Sequence, residues 1–93
     1  MRTVVLKIKL YAPWVHSLKE KRMVVKSLIT KLRSKFNVSA SEVDEHDTHQ
    51  TIVIGIASIA ANSSQGDSII DNILDFVESN TEAEIVSVHR EFI

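Results

Sequence analysis

The residues with the clearest chemical potential in this 93-residue chain are the cations of its first third. Residues 1–36 contain ten lysines and arginines and one acid, whereas residues 37–93 contain one arginine and eleven acids. Lysine and arginine side chains bind phosphates and release the counterions condensed around them. The asymmetry therefore predicts a surface for an anionic partner, with nucleic acid as the first candidate. The alternative is that the two oppositely charged halves neutralise each other when the chain folds.

Five of these cations occur at helical spacing and are the candidate nucleic-acid-binding residues: Lys19, Lys21, Arg22, Lys26 and Arg33. At 100° per residue, four of them fall within about 60° on one flank of an apolar helical stripe, and Lys21 assists from nearby. Cations in the first turns of a helix oppose its dipole, which favours acids there. Such a break with local preference indicates an anionic partner. A solvated helix face, or pairing with acids of the second helix, is the competing interpretation.

A second group of polar residues has the types found in metal sites, but its spacing is weak evidence for one. His46, Asp47 and His49 lie in a predicted turn, which fixes neither a helical nor a strand face, and zinc requires three or four ligands. The chain has no cysteine and only two glycines, which excludes thiolate sites and a glycine-rich phosphate loop. We expect no metal, no cofactor and no enzymatic activity. A hydrolase-like site near these histidines remains the weaker alternative.

The elements that must position these residues follow from hydrophobic periodicity. Ser17 and Glu20 have the spacing of a capping box at the start of a long amphipathic helix, and Ser64 with Asp67 predicts a second cap. The predicted strands are Thr3–Tyr11, 37–45, Gln50–Ala60 and 83–93, and the predicted helices are 17–36 and 66–79. The order βαββαβ favours one ferredoxin-like domain over residues 1–93, a four-stranded antiparallel sheet with two helices on one face.

The sheet face opposite the helices is the second candidate surface. Alternation places Val53, Ala57, Ile59 and Ile85 there, and Tyr11 is its single aromatic residue. A sheet that stacks RNA bases carries aromatic residues on its central strands, so this face favours contact with another protein surface. The simplest such surface is a second copy, and we expect a homodimer or higher oligomer.

Targeting signals are not evident in the sequence. The longest apolar run, Ile52–Ala61, is too short to span a bilayer. The N-terminus begins with a strand pattern and has no small-residue cleavage site. We expect a cytoplasmic protein that does not associate with membranes.

Two motifs resemble a known family. The helix start Ser17–Arg22 and the segment Phe36–Asp44, which continues through Asp47–Gln50 to Gly55–Ser58, are similar to the YlxP-like bacterial family of small proteins of unknown function. The resemblance implies a ferredoxin-like fold. Genes of this family often lie beside those for translation initiation and ribosome maturation factors, which implies a role near the small ribosomal subunit. The resemblance implies no catalytic residues. Relatives commonly carry tryptophan where this chain has His49.

Together these features predict a non-enzymatic RNA- or ribosome-associated protein. Its basic first helix contacts phosphates, with Lys7 or Lys9 assisting, and ribosomal RNA is the expected partner. The alternative is a protein-interaction or self-assembly module that uses the open sheet face.

Overall fold

A computed structural model describes residues 1–93 and contains four strands and two helices in the order βαββαβ. Alternation of apolar and polar residues forms the strands, and apolar residues three and four apart form the helices. The elements are β1 (Arg2–Tyr11), α1 (Leu18–Lys35), β2 (Ser39–Asp44), β3 (Thr51–Ala60), α2 (Ser63–Asn80) and β4 (Glu84–Phe92).

The strands form one sheet in the order β2-β3-β1-β4, and every neighbouring pair is antiparallel. In the central pair, Leu6 faces Ile56 and Ile8 faces Ile54, so alternate apolar side chains of β1 and β3 point to the same side. Both helices cover that side and bury a single cluster of eighteen apolar residues with it. The predicted ferredoxin-like fold is confirmed, and β3 and β1 are its two inner strands.

Helix α1 begins where its sequence predicts. The Ser17 hydroxyl accepts a hydrogen bond from the Glu20 amide at 3.1 Å, which satisfies one of the free amides of the first turn. The predicted return bond from the Glu20 carboxylate is not formed, so only half of the capping box is present. Val25, Leu28 and Leu32 form the buried side of the helix, which leaves the opposite side to solvent. Neither α1 nor α2 has the length and apolar character needed to cross a membrane.

Helix α2 begins three residues before its predicted start because another residue caps it. The Asn62 side chain accepts a hydrogen bond from the Gln65 amide at 2.9 Å, and the Gln65 side chain accepts one from the Ala61 amide. These bonds satisfy the first turn before Ser64 and Asp67 are reached. The predicted cap at Ser64 and Asp67 is therefore wrong.

Two bulges interrupt the sheet, one in each edge strand. In β4, Ser87 pairs with Lys9 and Ile85 pairs with Leu10, so Val86 is the extra residue. In β2, Glu42 pairs with Ile54 and Asp44 pairs with Val53, so Val43 is the extra residue. A bulge adds one residue to a strand and reverses which side chains face the core beyond it.

Gly55 is required at its position by the bulge in β2. A Cβ atom at residue 55 would lie 2.7 Å from Cγ1 of Val43, because Val43 folds over the open face of the sheet at this point. A valine side chain on a strand has little freedom to turn away.

We expect Gly55→Ala to lower the free energy of unfolding by about 1–3 kcal/mol, because the added methyl group overlaps Val43. Urea denaturation measures this change. The double variant Gly55→Ala/Val43→Ala removes the overlapping atoms and should recover part of the loss. If Val43→Ala brings no recovery, the Val43 contact is not the reason for glycine at this position.

Candidate nucleic-acid interface

One solvent-exposed flank of α1, beside β2, carries four cations of the molecule's basic half. We call the set Lys19, Arg22, Lys26 and Arg33 the basic face of α1; all four residues are exposed. The helix is about 27 Å long at 1.5 Å per residue, and these residues span most of that length. The predicted grouping of these four cations is therefore present in the structure.

Arg33 differs from the other three cations because it is also tied to the sheet. Its Nη2 donates a hydrogen bond of 2.6 Å to the Ala40 carbonyl oxygen on edge strand β2. A guanidinium group has five N–H donors, so this bond leaves others available for a ligand. Arg33 therefore fixes α1 against β2 and still presents donors to solvent.

Lys21 is not part of this surface, and its prediction as an exposed phosphate contact is wrong. The residue is 1% exposed, and its Nζ lies 2.9 Å from Oε2 of Glu42. The same ammonium group donates a hydrogen bond to the Glu45 carbonyl oxygen. A buried ammonium group is tolerated only when it is paired and hydrogen-bonded, and these two contacts supply both conditions.

Spacing along α1 alone did not reveal the partner of Lys21, which lies on β2. Ala40 is buried on the helix-facing side of β2, and Glu42, two residues on, faces the same side. A carboxylate at an inward position requires a cationic partner, and this is the signal in the sequence that points to an ion pair. Glu45 adopts a left-handed backbone conformation with φ 56°, which turns the chain out of β2 and presents its carbonyl oxygen to Lys21.

The basic and acidic halves of the chain do not neutralise each other within the molecule. Lys21–Glu42 is the one ion pair in the structure. The acids along α2 are exposed and form no ion pair; they are Asp67, Asp71, Asp75 and Glu78. The charge asymmetry of the sequence is therefore a property of the surface, and both charged sets are open to partners.

Lys7 and Lys9 lie on the opposite side of the molecule from the basic face of α1. They alternate along β1 with Leu6, Ile8 and Leu10, which are buried beneath the helices. Two faces of one sheet cannot both present side chains to α1. Lys7 and Lys9 therefore cannot reach a phosphate that is bound to the basic face of α1, and any assistance from them needs a ligand that also contacts the open sheet face.

The open sheet face carries three of its four predicted interface residues. Val53, Ala57 and Ile59 lie on it, but they differ in exposure: Ile59 is 66% exposed, whereas Val53 is 5% exposed, with Lys9 and Asp44 as its neighbours in register. Ile85 is on the other side of the sheet and packs against the core, because the bulge at Val86 reverses its direction. Its predicted place on the open face is wrong.

The histidines of the β2–β3 turn do not come together as a metal site. Nε2 of His46 lies 3.2 Å from the Glu42 carbonyl oxygen, on the β2 side of the turn. Asp47 and His49 instead line a cavity with His16 at the end of the sheet. No three histidine or carboxylate side chains are grouped closely enough to hold a metal ion.

The element order and sheet topology define this protein as a ferredoxin-like α/β sandwich. The solution NMR structure of a de novo designed protein with ferredoxin fold is similar over 99% of this chain and 85% of that chain, with a TM-score of 0.61 and 18% sequence identity. At this identity the similarity establishes the fold.

Sequence comparison defines the family. Residues 3–90 match the family model described as "Protein of unknown function (DUF503)". The chain is also similar to the uncharacterized protein YlxP of Bacillus subtilis (strain 168), with 41% identity over 68 residues, which are 73% of this chain and 74% of that protein. The chain belongs to the DUF503 family, and the predicted resemblance to YlxP-like proteins is confirmed.

We expect Lys21→Met to lower the free energy of unfolding by about 2–4 kcal/mol, because it leaves the Glu42 carboxylate facing the core without a counter-charge. Replacing both partners, as in Lys21→Met/Glu42→Leu, should recover most of that stability. Urea denaturation of the wild type, both single variants and the double variant measures the coupling. Purely additive losses would show that the two side chains do not depend on each other.

Proposed function

We propose that this chain is a non-enzymatic, cytoplasmic RNA-binding protein that acts at the ribosome, through small-subunit ribosomal RNA. The observation that carries the proposal is the absence of any intramolecular acid partner for the basic face of α1. Free cations aligned along one helix match the repeated charges of a phosphate backbone.

The dipole of α1 supports the same conclusion. Among the three cations of the first turns, the Glu42 ion pair explains Lys21. Lys19 and Arg22 have no such partner, and they lie at the end of the helix where the peptide dipoles already place partial positive charge. This arrangement costs stability in the free protein and favours a bound anion.

The acidic half of the chain favours one orientation of a bound RNA and lowers the non-specific affinity of the protein for RNA. The net charge is −1, so the molecule as a whole is not attracted to RNA. The acids of α2 repel a polyanion, while the basic face of α1 attracts it. An RNA ligand is therefore directed to α1.

The test is binding to small-subunit ribosomal RNA over a series of salt concentrations. We expect the variant Lys19→Gln/Arg22→Gln/Lys26→Gln to bind weakly and to lower the slope of log K against log salt by about 2, since each phosphate contact with single-stranded RNA contributes about 0.7. Filter binding or fluorescence anisotropy gives both values.

The matched control is Lys7→Gln/Lys9→Gln/Arg90→Gln, which removes the same charge from the sheet. It should retain the wild-type slope. If both triple variants lose the same affinity for RNA, the effect comes from net charge and not from the basic face of α1. Wild-type binding that does not change with salt would contradict phosphate contact.

One observation favours a second function, a protein-interaction or self-assembly module. Ile59, a large apolar residue, is 66% exposed on the open sheet face, and Val43 and Val86 are also exposed. An exposed apolar group of this kind is typical of a protein contact surface, and a second copy of the chain is the simplest occupant.

If copies associate through this face, Ile59→Lys should lower the molar mass measured by light scattering after size-exclusion chromatography. Ile59 is the suitable site because its side chain is exposed, whereas a charge at buried Val53 would also unfold the protein. Asn72→Lys, which adds the same charge on the exposed side of α2 and away from the open sheet face, serves as the control. An unchanged mass in Ile59→Lys would contradict self-assembly through this face.

A further inference from the structure

The largest cavity of the protein opens at the end of the sheet from which α1 begins. It is a depression that is widely open to solvent, with a volume of about 510 Å³. The end of β1 and the loop before α1 form one wall, and the turn between β2 and β3 forms the other. The side chains that matter for a ligand are Tyr11, His16, Asp47 and His49.

Hydrogen bonds hold the two walls of this cavity to each other. The Ala12 amide donates to the Gln50 carbonyl oxygen at 2.8 Å, and the Gln50 side chain donates to the Pro13 carbonyl oxygen at 3.0 Å. Within the turn, the Thr48 hydroxyl donates to the Glu45 carboxylate, and Lys21 binds the Glu45 carbonyl oxygen from α1. The walls are therefore fixed before a ligand arrives, which reduces the entropy lost on binding.

Six lining residues take no part in this network, and four of them carry groups suited to contact with a nucleotide base. Three of the four have planar rings, Tyr11, His16 and His49, and the fourth is Asp47, which has a carboxylate. None of these four side chains makes a hydrogen bond within the protein, so all are available to a ligand. Aromatic and imidazole rings stack on unpaired RNA bases, and an ionised carboxylate accepts hydrogen bonds from a base edge.

The position of the cavity connects it to the basic face of α1. His16 directly precedes the helix cap Ser17, and Lys19 is two residues beyond that cap. No lysine or arginine lines the cavity itself. Phosphates are thus attracted to the start of α1 and not into the cavity, which leaves the cavity to the uncharged part of a nucleotide.

We propose that this cavity binds one unpaired guanine base of an RNA whose backbone lies on the basic face of α1. The proposal rests on the proposed function and adds the ligand chemistry of a second subsite. Guanine presents two adjacent donors, N1–H and the exocyclic amino group, which match the two oxygens of Asp47. The rings of Tyr11, His16 and His49 provide the stacking surface.

The test compares two labelled single-stranded oligoribonucleotides of equal length, one all uridine and one with a single central guanosine. By fluorescence anisotropy, we expect the wild type to bind the guanosine-containing strand at least tenfold more tightly, the discrimination of a bidentate base contact. Asp47→Asn should abolish this preference and keep the salt slope. His46→Ala, in the same turn but outside the cavity, should keep both.

The variant Lys19→Gln/Arg22→Gln/Lys26→Gln separates this proposal from the proposed function. It should weaken both strands equally and preserve their ratio. Equal wild-type affinity for the two strands, or an unchanged preference in Asp47→Asn, overturns the guanine site and leaves the basic face intact. An effect of Asp47→Asn without any effect of the triple variant overturns the basic face alone.

A second measurement tests the cavity without the backbone contacts. Titration with guanosine, followed by NMR, should shift the ring resonances of His16 and His49, whereas uridine at the same concentration should not. If guanosine causes no shift beyond that caused by uridine, the proposal is wrong. This result holds whether or not the protein binds oligonucleotides.

Discussion

The end of the molecule that carries the proposed base site and the start of the basic face of α1 depends on one buried ammonium group. Lys21 links the first turns of α1 to Glu42 on β2 and to the backbone of Glu45 at the start of the following turn. Burying this charge costs free energy, and the ion pair and hydrogen bond offset that cost only in one geometry. The angle between helix and hairpin is consequently fixed, and with it the position of the turn relative to the start of α1.

This arrangement explains why neighbouring cations in one short segment serve different purposes. Lys21 points inward and holds the fold, while Lys19 and Arg22 point outward and remain free. Successive residues of a helix are 100° apart, so a segment of this kind can place one cation in the core and its neighbours in solvent. The same segment thus combines a structural function with the proposed ligand-binding function.

The sequence was sufficient to predict the fold, because unbroken alternation in β1 and β3 and continuous helical stripes leave one economical packing. It predicted the basic face of α1 for the same reason, since helical spacing determines which side chains share a side. It failed for Ile85, because a bulge that has no marker in the sequence moves this side chain from the open face of the sheet to the core side. It failed for Lys21, because helical spacing does not show that this lysine is buried. Its burial depends on Glu42, a partner twenty-one residues away in the sequence. The cavity was not predicted because its walls come from segments far apart in sequence.

The bulges at Val43 and Val86 have a consequence for association between sheets. Both outer strands of the sheet, β2 and β4, are interrupted, and β2 also carries an inward-pointing carboxylate. Edge strands with bulges and inward charges are poor templates for added strands, since they present no continuous row of straight, unpaired backbone groups. These features disfavour pairing of strand edges between copies, which leaves the broad faces of the sandwich as the surfaces open to a protein contact.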